Sequence, residues 1–78
     1  MLIEVITPEK TLFSGEATVA TFPGTEGSFQ VMNNHSPLVS TLQAGTIVLK
    51  SDNGDKELNV LGGVVEVNKN KIIVLAEQ

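Results

Sequence analysis

The feature that most constrains this chain is how soon every run of regular backbone is interrupted. Pro8, Gly15, Pro23, Gly24, Gly27, Pro37, Gly45, Gly54, Gly62 and Gly63 fall at close intervals along 78 residues. Glycine and proline end or bend regular structure, so the elements between them must be short. The intervening segments are rich in stiff β-branched side chains, with Val, Ile and Thr supplying 22 residues. Such residues fit pleated backbone and lose rotamer freedom in helices. No window carries a convincing 3.6-residue apolar period. Short strands with frequent turn signals predict an all-β chain, an antiparallel sandwich or flattened barrel of about 8–10 strands.

The strands can be placed by period and punctuation. Leu2 to Thr7 reads as a first strand stopped by Pro8, and Thr11 to Ser14 as a short second one. Glu16 to Phe22 alternates, which predicts Ala17, Val19 and Thr21 on one face. Pro23 to Gly27 reads as a turn, Ser28 to Met32 as a strand, and Asn33 to Pro37 as a polar loop. Leu38 to Leu42 fits either strand or irregular structure. Thr46 to Ser51 and Lys56 to Leu61 flank Asp52-Asn53-Gly54-Asp55, where Asn-Gly predicts a tight antiparallel hairpin. Leu58 and Val60 share a face of the returning strand. Gly62-Gly63 predicts a bulge or bend. Val64 to Asn68 and Lys71 to Glu77 predict a last hairpin about Lys69-Asn70, with Val65 and Val67 facing one way and Ile72, Val74 and Ala76 sharing a face.

Composition narrows the partners. A chain of this length supports one compact core, so residues 1–78 are expected to form a single domain. There is no cysteine, hence no disulfide framework and no thiolate metal site. Arginine is absent and the net charge is −4, which argues against nucleic acid and against an anionic membrane surface. No apolar run approaches the roughly 20 residues of a membrane helix, and the first residues lack a signal peptide's basic region. The expectation is a soluble cytoplasmic chain without direct lipid insertion.

Catalytic chemistry finds little support. His35, the only histidine, could act as a base beside Ser36 or Asp52, but it lacks an evident orienting partner, and no nucleophile motif occurs. A loop histidine satisfied by backbone hydrogen bonds is the plainer expectation. Gly24-Thr25-Glu26-Gly27 lacks the lysine and the following helix of a phosphate loop, so it reads as a turn. Lys56, after Asn-Gly, raises an alternative: lipoyl and biotinyl carrier domains are all-β, of similar size, and carry a modified lysine on a hairpin. The apolar residues such domains place around that lysine are missing here. No catalytic residue, metal ligand or cofactor is assigned.

Three ordered stretches resemble one family. They are Thr7-Pro8-Glu9-Lys10-Thr11-Leu12-Phe13-Ser14-Gly15-Glu16; then Phe22-Pro23-Gly24-Thr25-Glu26-Gly27 with Asn34-His35-Ser36-Pro37-Leu38 and Leu42-Gln43-Ala44-Gly45; and finally Gly62-Gly63-Val64-Val65-Glu66-Val67 with Ile72-Ile73-Val74-Leu75-Ala76-Glu77. Together they resemble the N-terminal domain of the epsilon subunit of F-type ATP synthases, called delta in mitochondria. The resemblance implies a ten-strand sandwich at the foot of the rotating central stalk, on the cytoplasmic face of the cell inner membrane. It implies a non-catalytic subunit that binds the gamma subunit and the membrane c-ring, so that proton flow drives ATP synthesis.

Carried over by position, Glu26, Gly27 and Ser28 match the ring-facing loop. Thr7, His35, Ser36, Pro37, Leu38 and Ser40 match segments at the gamma contact. The family commonly has an acidic residue in place of Ser28 and a glycine in place of Gln30. Many bacterial members also continue into two C-terminal helices that inhibit hydrolysis and sometimes bind ATP. None follows Gln78 in this sequence, so no ATP binding and no helical domain are expected. An adaptor of this size should also leave apolar contact residues exposed when isolated.

Overall fold

A computed structural model describes residues 1–78. The chain forms nine strands: β1 Leu2–Ile6, β2 Thr11–Glu16, β3 Val19–Gly24, β4 Gly27–Met32, β5 Leu38–Leu42, β6 Gly45–Ser51, β7 Gly54–Val60, β8 Gly62–Asn68 and β9 Lys71–Glu77. This falls within the expected range and is one fewer than the resemblance implies. There is no helix, and so none long and apolar enough to cross a membrane.

Two leaves make up the sandwich. One has the order β2-β1-β9-β8-β5, and the other consists of β4, β3, β6 and β7. They join at a corner where Gly24 of β3 pairs with Leu42 of β5. Every ladder is antiparallel except β1 with β9, which runs parallel from Leu2↔Lys71 to Ile6↔Leu75. That pairing joins opposite ends of the chain, and no local turn signal could have announced it.

Alternation directs the core. Ile3 and Val5 of β1, Val65 and Val67 of β8, and Ile72, Val74 and Ala76 of β9 are buried from one leaf. Ala20 and Phe22 of β3, Val31 of β4, Ile47 and Leu49 of β6, and Val60 of β7 meet them from the other. With Ala17 and Leu42 they form one cluster of 15 residues, and no polar side chain is buried. Phe22 and Phe29 stack across β3 and β4 with centroids 5.5 Å apart.

Of the three residues expected on one face of the third strand, Val19 and Thr21 share it and Ala17 does not. Ala20 and Phe22 point inward, while Val19 and Thr21 are half-buried on the outside. The chain turns at Ala17-Thr18 before β3 begins, so Ala17 reaches the core from outside the strand and its parity does not carry through. The turn expected at Pro23–Gly27 shrinks to Thr25-Glu26, because Gly24 and Gly27 remain paired. Leu38–Leu42 is a strand. Both Thr25-Glu26 and Asp52-Asn53 are two-residue turns followed by a glycine at positive φ, +125° at Gly27 and +115° at Gly54. Only the last hairpin holds both turn residues at positive φ, Lys69 at 50° and Asn70 at 61°.

Candidate functional site

The sandwich has two ends. One gathers the Thr7–Lys10 turn, the Thr25-Glu26 tip and the Gln43-Ala44 link; the other gathers the Asn33–Pro37 loop and the Lys69-Asn70 turn. At the first end, the Thr7 hydroxyl accepts the N–H groups of Glu9 and Lys10 at 3.2 and 3.1 Å and fixes the turn before β2. The Thr25-Glu26 tip is tied to β5 by the Thr25 N–H on the Thr41 carbonyl at 3.0 Å and by their hydroxyls at 2.7 Å. The Gln43 side-chain amide donates to the Gly24 carbonyl at 3.2 Å. Glu26 therefore projects from a braced hairpin, with Gly27 and Ser28 exposed beside it.

At the second end, the His35 Nδ1 lies 2.6 Å from the Ser36 carbonyl oxygen, which can only accept, so Nδ1 is the donor of this bond. No carboxylate orients the ring, and no group of three His, Cys, Asp or Glu residues is placed to hold a metal. The loop is clasped to the last hairpin: the Asn34 N–H donates to Asn70 Oδ1 at 2.6 Å and Asn70 Nδ2 donates to Asn34 Oδ1 at 3.2 Å. Ser36 and Pro37 are exposed, and Leu38 and Ser40 lie half-buried on the core side of β5. The residues matched to a gamma contact are thus divided, with Thr7 at one end and His35, Ser36 and Pro37 at the other. β5 separates them by about 16 Å at the usual strand rise.

What lies between them was missed by the sequence reading. Cross-strand partners on the outer face of the first leaf form an apolar row: Thr41 opposite Val64, Val64 opposite Leu75, and Leu75 opposite Ile6. In the next row Val39 and Ile73 flank Glu66. Val39 is 68% exposed and Leu75 54%. At the Thr7 end the row opens into a groove of about 670 Å³ lined by Ile6, Thr7, Leu42, Val64 and Leu75, among others. Gly63, at φ +149°, lies along it, and a Cβ there would collide with the Leu75 carbonyl. A signal was present in the sequence. Ile72 to Leu75 is apolar at every position, as is Val64-Val65, and a strand apolar at both parities is one that becomes covered on both faces.

Lys56 lies within β7, opposite Leu49, rather than at the hairpin tip, which Asp52 and Asn53 occupy. That is a poor position for a swinging prosthetic arm.

The candidate site is therefore an apolar outer row on a braced all-β module. The family of the ATP synthase delta/epsilon chain, β-sandwich domain, matches residues 1–78, and the chain belongs to it. The ATP synthase epsilon chain of Chlorobium limicola is 41% identical over 76 residues, covering 96% of this chain and 86% of that protein. That of Chlorobaculum tepidum is 39% identical over 77 residues, covering 97% and 88%. The epsilon chain of Sulfurimonas denitrificans is 42% identical, but the matched region spans only 58% of it. Among solved structures, a chain of the Tetrahymena thermophila mitochondrial ATP synthase central stalk and c-ring superposes with a TM-score of 0.84 at 18% identity, over 99% of this chain and 63% of that one. At that identity the likeness shows the fold. Epsilon chains are coupling and regulatory subunits of ATP synthase, not catalytic ones, and this chain is non-catalytic in the same sense.

Proposed function

We propose that this chain is a rotor adaptor of a proton-driven ATP synthase, joining the gamma subunit to the c-ring as a peripheral subunit on the cytoplasmic face of the membrane. The observation that carries the reading is the apolar row Thr41–Val64–Leu75–Ile6 with Val39 beside it. An antiparallel sheet that ends in water normally shows polar residues there. A gamma subunit lying along β5 and β8 would touch Thr7 at one end and His35, Ser36 and Pro37 at the other. In this arrangement Val39 and Thr41 meet gamma directly, and Ser40 and Leu38 support them from the core side. A contact of standard size takes about 800 Å² from each partner. The chain exposes 4733 Å² in all, so roughly a sixth of its surface suffices.

The Thr25-Glu26 tip is the ring-facing element in this reading. With serine at position 28, Glu26 is the carboxylate that the tip offers to the ring's polar loops. Coupling needs stiffness more than chemistry, and the Thr25–Thr41 brace supplies it.

Sedimentation velocity of this chain mixed with the gamma subunit from the same source tests the assignment. A stoichiometric heavier complex that Leu75→Lys or Val39→Lys weakens is the expected result. No complex at micromolar concentrations, or one indifferent to both substitutions, overturns it.

A further inference from the structure

The sandwich leaves the edges of β2, β7 and β4 without a neighbour, and that of β5, which follows Pro37, meets β3 only where Leu42 pairs with Gly24. An open edge is a template for another strand, and folded proteins blunt such edges with charges, proline or bulges. β7 carries Asp55, Lys56 and Glu57 in succession. β2 is interrupted by the register shift that leaves Leu12 unpaired where β1 passes from Val5 to Ile6. β4 has neither defence. Its sequence, Gly-Ser-Phe-Gln-Val-Met, is neutral and free of proline, and its ladder with β3 is unbroken from Val19↔Met32 to Gly24↔Gly27.

The direction of its backbone groups follows from the ladder. The Pro23 carbonyl accepts the Gln43 N–H and so points away from β4. Pro23 and its partner Ser28 are therefore a non-bonded pair, and strict alternation makes Thr21–Gln30 and Val19–Met32 non-bonded as well. The N–H and C=O groups of Ser28 and Gln30, with the N–H of Met32, face the open edge. The Met32 carbonyl receives the His35 N–H at 3.2 Å. Ser28, Gln30 and Met32 are all exposed, and a Cβ built at Gly27 meets nothing within 4 Å.

We infer that β4 is a self-pairing edge, to which a second copy of this chain adds antiparallel about a two-fold axis at Gln30. In that register Ser28 faces the second copy's Met32 and Gln30 faces its own counterpart. The three pairs this forms are those with outward backbone groups: Gln30 can exchange both bonds with its counterpart, and each Met32 N–H can donate to the Ser28 carbonyl it faces. Phe29 falls opposite Val31, continuing the core-facing side. No like charges oppose one another, since Glu26 lies beyond the strand and falls opposite Asn34. The same operation on β7 would set its charged run against itself.

One short ladder buries less than the roughly 1,000 Å² of a stable dimer, so the pairing is weak and concentration-dependent. Both copies carry a net charge of −4, and salt therefore strengthens it. The pairing does not rest on the gamma assignment, because β4 belongs to the other leaf.

Sedimentation velocity of the full chain from about 10 μM to about 1 mM, at low and high salt, is the test. A salt-strengthened dimer is expected, weakened at least about tenfold by Ser28→Lys and by Gln30→Pro and unchanged by Leu75→Lys. Gln30→Pro removes only an outward N–H, so the β3–β4 ladder survives it; protection of the Val31 amide from hydrogen exchange verifies the fold. A monomer throughout overturns the inference. So does a dimer that Leu75→Lys abolishes while the two β4 variants leave it intact.

Discussion

The outer faces of the two leaves are made from the same kind of strand, yet they present opposite surfaces. On the leaf containing β1, β9, β8 and β5, the row nearest Thr7 is Ile6, Leu75, Val64 and Thr41, and the next row carries charge, at Glu66 between Val39 and Ile73 and at Glu4 beyond Ile73. On the other leaf the rows run Gln30, Thr21, Val48, Glu57 and Met32, Val19, Lys50, Asp55, with Thr46 bonded to Asn59 at 2.8 Å. There a charge or amide ends each row, and the valines between them are half-buried. Both leaves contribute comparably to the inner cluster, so folding does not require the difference. Apolar side chains left in water contribute nothing to the core; they are stabilising only when a partner covers them. On the proposed function, the first face is the one a partner covers and the second stays in solvent.

Substitutions can break that comparison. The largest effect is expected at Gly63, whose φ of +149° disfavours a side chain and where a Cβ would collide with the Leu75 carbonyl. Gly63→Ala should lower stability by about 2–4 kcal/mol, read from the urea midpoint. A midpoint equal to that of the parent chain would show that the strained glycine does not shape this face. Leu75→Lys should weaken gamma binding about 100-fold while folding stability changes by less than about 1 kcal/mol, because the side chain is already in water. A stability loss as large as the binding loss would mean that the face is core and not interface.

Smaller effects sharpen the contrast. Thr25→Val removes the hydroxyl pair with Thr41 and should cost about 1 kcal/mol, with faster amide exchange at Glu26 and Gly27. Unchanged exchange would show that the backbone bond alone stiffens the tip. Thr46→Lys, on the polar face, should shift stability by less than about 0.5 kcal/mol and leave gamma binding untouched. Impaired binding in that variant would mean that both faces are covered in the complex.

Much of the strand order was readable because its signals are local. The last hairpin at Lys69-Asn70, the hairpin around Asp52-Asn53-Gly54 and the shared faces of Val65 with Val67 and of Ile72, Val74 and Ala76 all stand as expected. Ala17 does not share the face of Val19 and Thr21, because alternation does not carry through Ala17-Thr18, where the chain is turning. The Glu26 tip was legible from its glycines. Its brace to Thr41 was not, since those threonines are 16 residues apart and meet only at the corner between leaves. His35 was expected as a backbone-bonded loop residue, and its bond to Ser36 makes it one. Ser40 and Leu38, matched to a gamma contact, lie on the inner side of β5, while Val39 and Thr41 hold the outer one.

By itself the sequence determined the class of structure. Close-set glycine and proline limit segment length, β-branched residues set the backbone type, and a period of two sorts each strand's side chains into two sets. Only the tertiary structure decided which strands lie side by side, and with that which exposed apolar residues become neighbours. Ile6, Thr41, Val64 and Leu75 come from four strands, one of them held by a parallel pairing between the two ends of the chain. Alternation says which face a side chain takes. Register between distant strands says what stands next to it, and register is set by the whole core packing at once.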